Sequence, residues 1–251
     1  MRLVSLNTWK CEGDYPQRVR AMAEGLVALS PDVVALQEDL RTRDGLTHTA
    51  RSLATVLSMQ MVWLPARAKP RLLNGQCTDT TSGLAVLSRQ PVLEQGSVVL
   101  PADARDGERV AQWVRLAGAH ADWWLVNLHL THLPDRADLR RAQLETVLQA
   151  LQRVAGEQPV VLCGDFNAAP DDPEIASVMH PQGLLIDAFA AQAKVTHRSD
   201  SGSEHNLDHI LLRTVRGQPP FSVAHARVVL DRPDAHGVWP SDHWAVSANL
   251  V

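Results

Sequence analysis

Pro159-Val160-Val161-Leu162-Cys163-Gly164-Asp165-Phe166-Asn167 is the stretch from which the architecture can be read. A short apolar run after a proline reads as a buried strand, and Gly164 then turns the chain. Beyond the turn, Asp165 and Asn167 stand two residues apart, which places a carboxylate and a carboxamide on the same side. Taken alone, the tetrapeptide is equally an ordinary Asx turn, so its meaning depends on whether other strands end in the same way.

They do. Leu3, Val4 and Leu6 alternate into Asn7-Thr8-Trp9, and Val33-Val34-Ala35-Leu36 runs into Gln37-Glu38. Between them, Val19, Met22, Ala23, Leu26, Val27 and Leu29 recur at helical spacing over 16–29, until Ser30-Pro31-Asp32 breaks the pattern. Further helices are expected over 46–57 and 136–154. Short strands at 60–64, 83–88, 92–100 and 109–116, parted by Gly, Pro and charged turns, predict antiparallel hairpins. Strands are also expected over 123–130, 207–212, 223–230 and 244–250. Neither an internal repeat nor a Gly/Ser linker divides the chain, and polar strand ends from residue 7 to residue 243 make sense if they converge on one cleft. The expectation is an α/β chain forming a single domain over 1–251.

Composition narrows the function classes. Of 251 residues, 24 are Lys or Arg and 28 are Asp or Glu, a net charge of −4, which is a poor footprint for a protein that lives on nucleic-acid backbones. Seven of the eleven aromatic residues are Trp, read here as core rather than as stacking platforms for single strands. Cys11, Cys77 and Cys163 are widely spaced and odd in number, which fits reduced thiols in a cytoplasmic protein better than a disulfide framework. No apolar run approaches a membrane span and no apolar leader opens the sequence. Nothing in it specifies a protein partner, and a monomer is expected.

The polar positions carry chemistry. Glu38, on a rigid strand end, is either a ligand for Mg²⁺ or Mn²⁺ or a solvated carboxylate. In Ser241-Asp242-His243, the adjacent Asp and His splay to opposite sides of an extended chain, so they serve different purposes. Asp208 lies in Asn206-Leu207-Asp208-His209-Ile210, where an unpaired carboxylate among apolar neighbours is costly, and His243 is its expected partner. His205 and His209 would grip zinc from one face of a helix, but the surrounding pattern is a strand, where that register fails. In Asn127-Leu128-His129-Leu130-Thr131-His132, odd spacing lets only one of the two imidazoles face the cleft.

Taken in order, Leu6-Asn7-Thr8, Leu36-Gln37-Glu38, Gly83 to Arg89, Asn127-Leu128-His129-Leu130, Gly164-Asp165-Phe166-Asn167, Leu207-Asp208-His209-Ile210 and Ser241-Asp242-His243 resemble the endonuclease/exonuclease/phosphatase superfamily along the whole chain. The resemblance implies a four-layer sandwich of two packed mixed sheets with helices outside, and a divalent metal at the top edge. It implies that Glu38 ligates the metal with Asn7 and Asp242 close by. Asp165 and Asn167 would then handle the attacking water and the phosphoryl oxygens, and His243 would be the catalytic histidine, steadied by Asp208. A histidine at 129 is similar to the deoxyribonuclease, sphingomyelinase and phosphoinositide-phosphatase branches, and His209 stands where many members carry Tyr.

Water would thus attack phosphorus in line, with His129 and His243 donating hydrogen bonds to the developing charge. Asp165 is the preferred base and His243 the alternative. An oxygen shell favours Mg²⁺, with Mn²⁺ as substitute, over Zn²⁺. The substrate is a phosphoester: a nucleic acid, a lipid or a small molecule. A non-catalytic binding module on the same fold is the remaining reading. Loops over 65–82 and 101–109, bearing Arg67, Lys69, Arg71, Arg105 and Arg109, are the expected substrate-facing segments.

Overall fold

The computed structural model describes residues 1–179, 184–190, 192, 194–199, 201–215 and 217–251. In chain order the elements are β1 (Arg2–Asn7), α1 (Tyr15–Leu29), β2 (Val33–Thr42), α2 (Thr49–Leu57), β3 (Gln60–Leu73), β4 (Gln76–Ser88), β5 (Val92–Val99), β6 (Val110–Leu116), β7 (Trp123–His129), α3 (Ala137–Val154) and β8 (Val160–Asp165). After these come α4 (Pro173–Met179), β9 (Leu185–Asp187), β10 (His197–Arg198), β11 (Glu204–His205), β12 (Asp208–Arg213), β13 (Val223–Val229) and β14 (Ala245–Leu250).

One sheet runs β13-β14-β1-β2-β4-β3 and the other β5-β6-β7-β8-β12-β9, while β10 and β11 pair separately. Each large sheet is mixed. β1 lies parallel to β2, and β7 to β8, because a helix, α1 or α3, carries the chain back outside the sheet between the two strands. The other pairings are antiparallel.

Period-2 alternation sorts the side chains into layers. Leu3, Val33, Ala35 and Val246 of the first sheet meet Leu125, Val161, Cys163 and Ile210 of the second in the central core. The opposite face of the first sheet, with Val4, Leu6, Val34 and Leu36, is covered by Met22 and Leu26 of α1 and by Leu53 and Leu57 of α2. Val126, Leu128, Leu162 and Leu211 of the second sheet pack under Leu144, Val147 and Leu151 of α3 and Ile175 of α4. The order is therefore helix, sheet, sheet, helix, the four-layer sandwich expected. Among the described residues no helix is long and apolar enough to cross a membrane.

At the upper end of the central core, apolar packing gives way to amides. Gln37 Nε2 donates to Asn127 Oδ1 at 2.7 Å and to Ser5 Oγ at 3.1 Å, and Asn127 Nδ2 donates to the carbonyls of Leu36 and Ala85. These groups are fully buried, and the bonds made by the two amide nitrogens fasten one sheet to the other, while Gln37 Oε1 has no partner among the described residues.

Two expectations need correction. Residues 65–82 are largely not a loop: β3 and β4 pair from Gln60↔Ser88 out to Leu73↔Gln76, a long two-stranded arm. Pro65 and Pro70 are compatible with this because β3 is an edge strand, where a missing N–H need not break a ladder. Tryptophan is also less internal than expected. Trp123 and Trp124 are buried, but Trp239 is exposed and Trp9 and Trp244 are only partly covered.

Candidate active site

β1, β7 and β8 end at one edge of the sandwich, β12 and β14 begin there, and β2 passes the same edge at residue 38, so the polar residues are brought together by topology. Asp165 is held by the tightest device. Gly164 has φ 139°, and a Cβ at that position would lie 1.9 Å from the Leu128 carbonyl oxygen. Only glycine fits, and the bend it allows directs Asp165 inward. The Asp165 carboxylate accepts from Asn7 Nδ2 at 3.0 Å and from the Asn167 amide at 2.9 Å. His129 Nε2 and His243 Nε2 lie 3.5 and 3.7 Å from Asp165 Oδ2.

Asp208 stands opposite Asp165 in the β8–β12 register. The hydrogen bond expected between Asp208 and His243 is formed, with Nδ1 2.8 Å from Oδ2 and both side chains buried. Burial opposes charge on His243, but Asp208 and Asp165 outweigh it and raise the imidazole to about 10. Burial pushes the Asp165 carboxyl up to about 6, with His243 pulling the other way. His129 is driven well below its ordinary value by burial and by Arg109, so it is neutral. One imidazole in the cleft is thus a cation and the other is not.

Glu38 is not at a strand end, as the sequence pattern indicated, but inside β2. The β2–β4 register shifts between Leu36 and Asp39, and Glu38 adopts φ 56° at that bulge. Gln37 keeps its inward position and Asp39 bonds His48 and the Ala50 amide, so Glu38 is the extra residue, extruded toward the cleft. Its carboxylate is ion-paired with Lys10. Asp242 is pushed upward by burial and by the charge of Glu38, while Ser241 Oγ donates to it at 3.2 Å. Asp242 and His243 diverge as expected, Asp242 toward His197 and His243 toward Asp208.

Asn167, at φ 50°, donates through Nδ2 to the Leu130 carbonyl. The remaining histidines sort clearly. His209 is buried behind the site, pairing with the Ala168 carbonyl and Lys194, and His132 contacts Asp106 at 2.9 Å on the rim. His205 stands on exposed β11, whereas His209 is in β12, so the two share no helical face.

The donor set can be compared with the needs of a divalent cation. Glu38, Asp242 and the Asn7 carboxamide offer oxygen, and the mutual repulsion of the two carboxylates, which raises Asp242, is the kind a hard divalent cation relieves. These residues fit Mg²⁺ or Mn²⁺. Among the described residues, the groups whose ligand atoms lie within 4.8 Å of one another are His197–Asp242–His243 and Asp165–Asp208–His243, and Glu38 is in neither. In the second, the Asp208–His243 hydrogen bond already accounts for the proximity.

Several contributors escaped the sequence reading. Buried Arg18 of α1 donates to the carbonyls of Thr8, Trp9, Lys10, Glu12 and Pro240, tying the loop after β1 to the segment before Ser241. His197 lies against His243, with ring centroids 4.5 Å apart and planes tilted by 46°. Trp9, Trp239 and Trp244 line a cleft of about 230 Å³ beside Asp242. A larger cavity, about 400 Å³, opens on the other side of Glu38 and His129.

A model of the Endonuclease/Exonuclease/phosphatase family matches residues 4–243, and the chain belongs to that family, whose members are phosphoesterases. The chain is 24% identical over 266 residues to tyrosyl-DNA phosphodiesterase 2 of Rattus norvegicus, covering 98% of this chain and 66% of that protein. It is 23% identical over 218 residues to Nocturnin of Drosophila melanogaster, covering 83% of this chain and 33% of the other. The chain thus spans just under two thirds of the length of the first relative and one third of the second. Among solved structures, a mannosyl-6-phosphatase from Bacteroides thetaiotaomicron VPI-5482 shares the fold, with a TM-score of 0.75 at 19% identity over 100% of this chain and 99% of that one.

Proposed function

We propose that this chain is a divalent-metal-dependent hydrolase that cleaves a phosphoester, a diester in preference to a monoester, by in-line attack of water on phosphorus. The observation that carries this reading is the buried array His129, Asp165, His243 and Asp208, of which His129 opens with Glu38 on the larger cavity while the neighbouring Asp242 borders the smaller cleft.

Asp165, raised to about 6, is a carboxylate at neutral pH that retains enough basicity to take a proton from water. Asn7 and the Asn167 amide fix its orientation, and the Asn167 side chain stands beside the path of the water. His243, held protonated by Asp208, donates through Nε2 to a phosphoryl oxygen, and neutral His129 donates a second hydrogen bond. Glu38 and Asp242, with Asn7, would hold Mg²⁺ or, as substitute, Mn²⁺; when bound, such an ion polarises a phosphoryl oxygen and offsets the developing charge.

The preference for a diester is supported by the name of the rat relative, a phosphodiesterase. A nucleic acid, a lipid and a small phosphorylated molecule are the candidate substrates. Free thiols at Cys11, Cys77 and Cys163 suit a reducing, cytoplasmic setting, and the reading needs only one domain over 1–251 acting as a monomer.

Protein stripped with EDTA should be inactive on bis(4-nitrophenyl) phosphate and regain turnover on addition of Mg²⁺ or Mn²⁺. Absence of turnover with either ion, on this diester and on 4-nitrophenyl phosphate, would overturn the reading.

A further inference from the structure

The larger cavity has one wall whose charges are not balanced. Around it, Lys10 pairs with Glu38, Arg105 with Asp103, and Arg109 with Asp106 at 2.5 Å. Each of these cations already has a carboxylate. Arg67, Lys69 and Arg71 do not: among the described residues, none of the three lies within 4.0 Å of an acidic oxygen. They occupy alternate positions of β3, which sends all three side chains to the same face of the arm and into the same cavity.

Their neutral partners orient them without neutralising them. Arg71 is 7% exposed, and its Nη atoms donate to Thr80 Oγ1 at 2.6 Å and Ser82 Oγ at 2.8 Å, while its Nε has no partner. Arg67 Nη1 donates to the Asp106 carbonyl, which fixes the guanidinium against the loop on the far side of the cavity. Lys69, though exposed, is lowered from its ordinary value by partial desolvation on the arm and by the charges of both arginines. Glu12 and Glu38 act on Arg71 only at longer range. Three like charges on one strand face, one of them almost fully buried, are unfavourable unless an anion joins them. Bidentate guanidinium donors are suited to phosphate oxygens.

We propose that Arg67, Lys69 and Arg71 form a second phosphate subsite, so that the preferred substrate carries a phosphate group beyond the one that is cleaved. That this anion belongs to a substrate rests on the hydrolase reading; the subsite itself does not. The scissile phosphate would lie at His129, His243 and Asp165, and the second phosphate across the Glu38 side of the cleft, on the β3 arm. Its source is either the neighbouring phosphate of a nucleic-acid strand or a further phosphate on a small molecule.

The test uses the full chain in EDTA, where metal-dependent binding is absent, with inorganic pyrophosphate as probe and calorimetry as readout. Wild type should bind one equivalent with a Kd below about 1 mM. Lys69 is exposed, so Lys69→Ala should fold normally and weaken binding by about fivefold or more, and the Arg67→Ala/Lys69→Ala pair by about thirtyfold or more. Arg153→Ala, which removes an exposed cation of α3 that does not line the cavity, should bind pyrophosphate within about threefold of wild type. No saturable binding by wild type, or variants of Lys69 and Arg67 that bind as tightly as wild type, would overturn the subsite. Binding through these residues in a protein that hydrolyses no phosphoester with Mg²⁺ or Mn²⁺ would support the subsite while removing the hydrolase. Displacement of pyrophosphate by a five-residue thymidine oligonucleotide supports the subsite with a strand as source. Saturable pyrophosphate binding that the oligonucleotide does not disturb supports it with a small molecule.

Discussion

The two sheets contribute unlike halves to the cleft. The first supplies buried Asn7 and, nearer the solvent, Glu38 and Asp242, whose side chains are 13% and 24% exposed. The second supplies His129, Asp165 and Asp208, and there Asp165 and Asp208 are within 2% of complete burial. His243 leaves the first sheet's chain to bond the second sheet's carboxylate, so it is the link between the halves. The difference is one of solvent. Ions such as Mg²⁺ keep several waters and need an open mouth, whereas burial is what moves Asp165 up and His129 down.

The largest expected effect comes from breaking the dry half. Asp208→Ala and His243→Ala should each lower kcat by roughly 10³-fold, and the double variant should be scarcely worse, because the two residues act as a unit. Steady-state kinetics on one diester decides it, and losses that multiply would mean that the pair is not coupled. In the hydrated half, Glu38→Gln should weaken Mg²⁺ binding by about tenfold or more in calorimetry while leaving the thermal midpoint unchanged. Unchanged affinity would take Glu38 out of the metal shell.

Two smaller effects sharpen the boundary between wet and dry. Tyr15, the single tyrosine of the chain, is buried below the first sheet's end, 2.9 Å from Thr49 Oγ1, and burial pushes its hydroxyl up to about 12. Its absorbance near 295 nm should therefore titrate about two units later in the folded protein than in denaturant, where about 10 is expected. The folded-state value is raised, so the associated stability is intact below pH ~10 and is lost as pH climbs from there through about 12. An ordinary titration in the folded protein would show that water reaches well below the mouth. Lastly, brief alkylation followed by mass spectrometry should label exposed Cys77 and spare Cys163, whose thiol burial pushes up to about 12. Rapid labelling of Cys163 would contradict a dry core beneath Asp165.

What the sequence made legible was the half of the problem that depends on alternation. β1, β7 and β8 are apolar runs that stop at polar residues, and of the eight residues named from them and from the resemblance, Asn7, His129, Asp165, Asn167, Asp208 and His243 are in mutual contact, with Glu38 and Asp242 beside them. What was illegible depends on backbone partners or on edges. Arg18 holds carbonyls of loops distant in sequence, and no side-chain pattern marks a carbonyl. The β3–β4 arm reads as a loop because its prolines and charges are tolerated only on an edge strand. The bulge at Glu38 is silent, since a glutamate gives no sign of positive φ. The tryptophans misled because their position follows the cleft: Trp239 and Trp244, stacked with centroids 6.1 Å apart, are walls and not filling.

That bulge sets stability against activity at a single codon. Left-handed backbone costs a side chain such as glutamate about 1–2 kcal/mol, a penalty that glycine does not incur. Replacing Glu38 by glycine would therefore relax the strand while deleting the carboxylate, so a selection for thermal endurance alone would pull this position away from the residue that the proposed chemistry needs. At residue 38 the proposed metal ligand sits on backbone that glycine would adopt at lower cost.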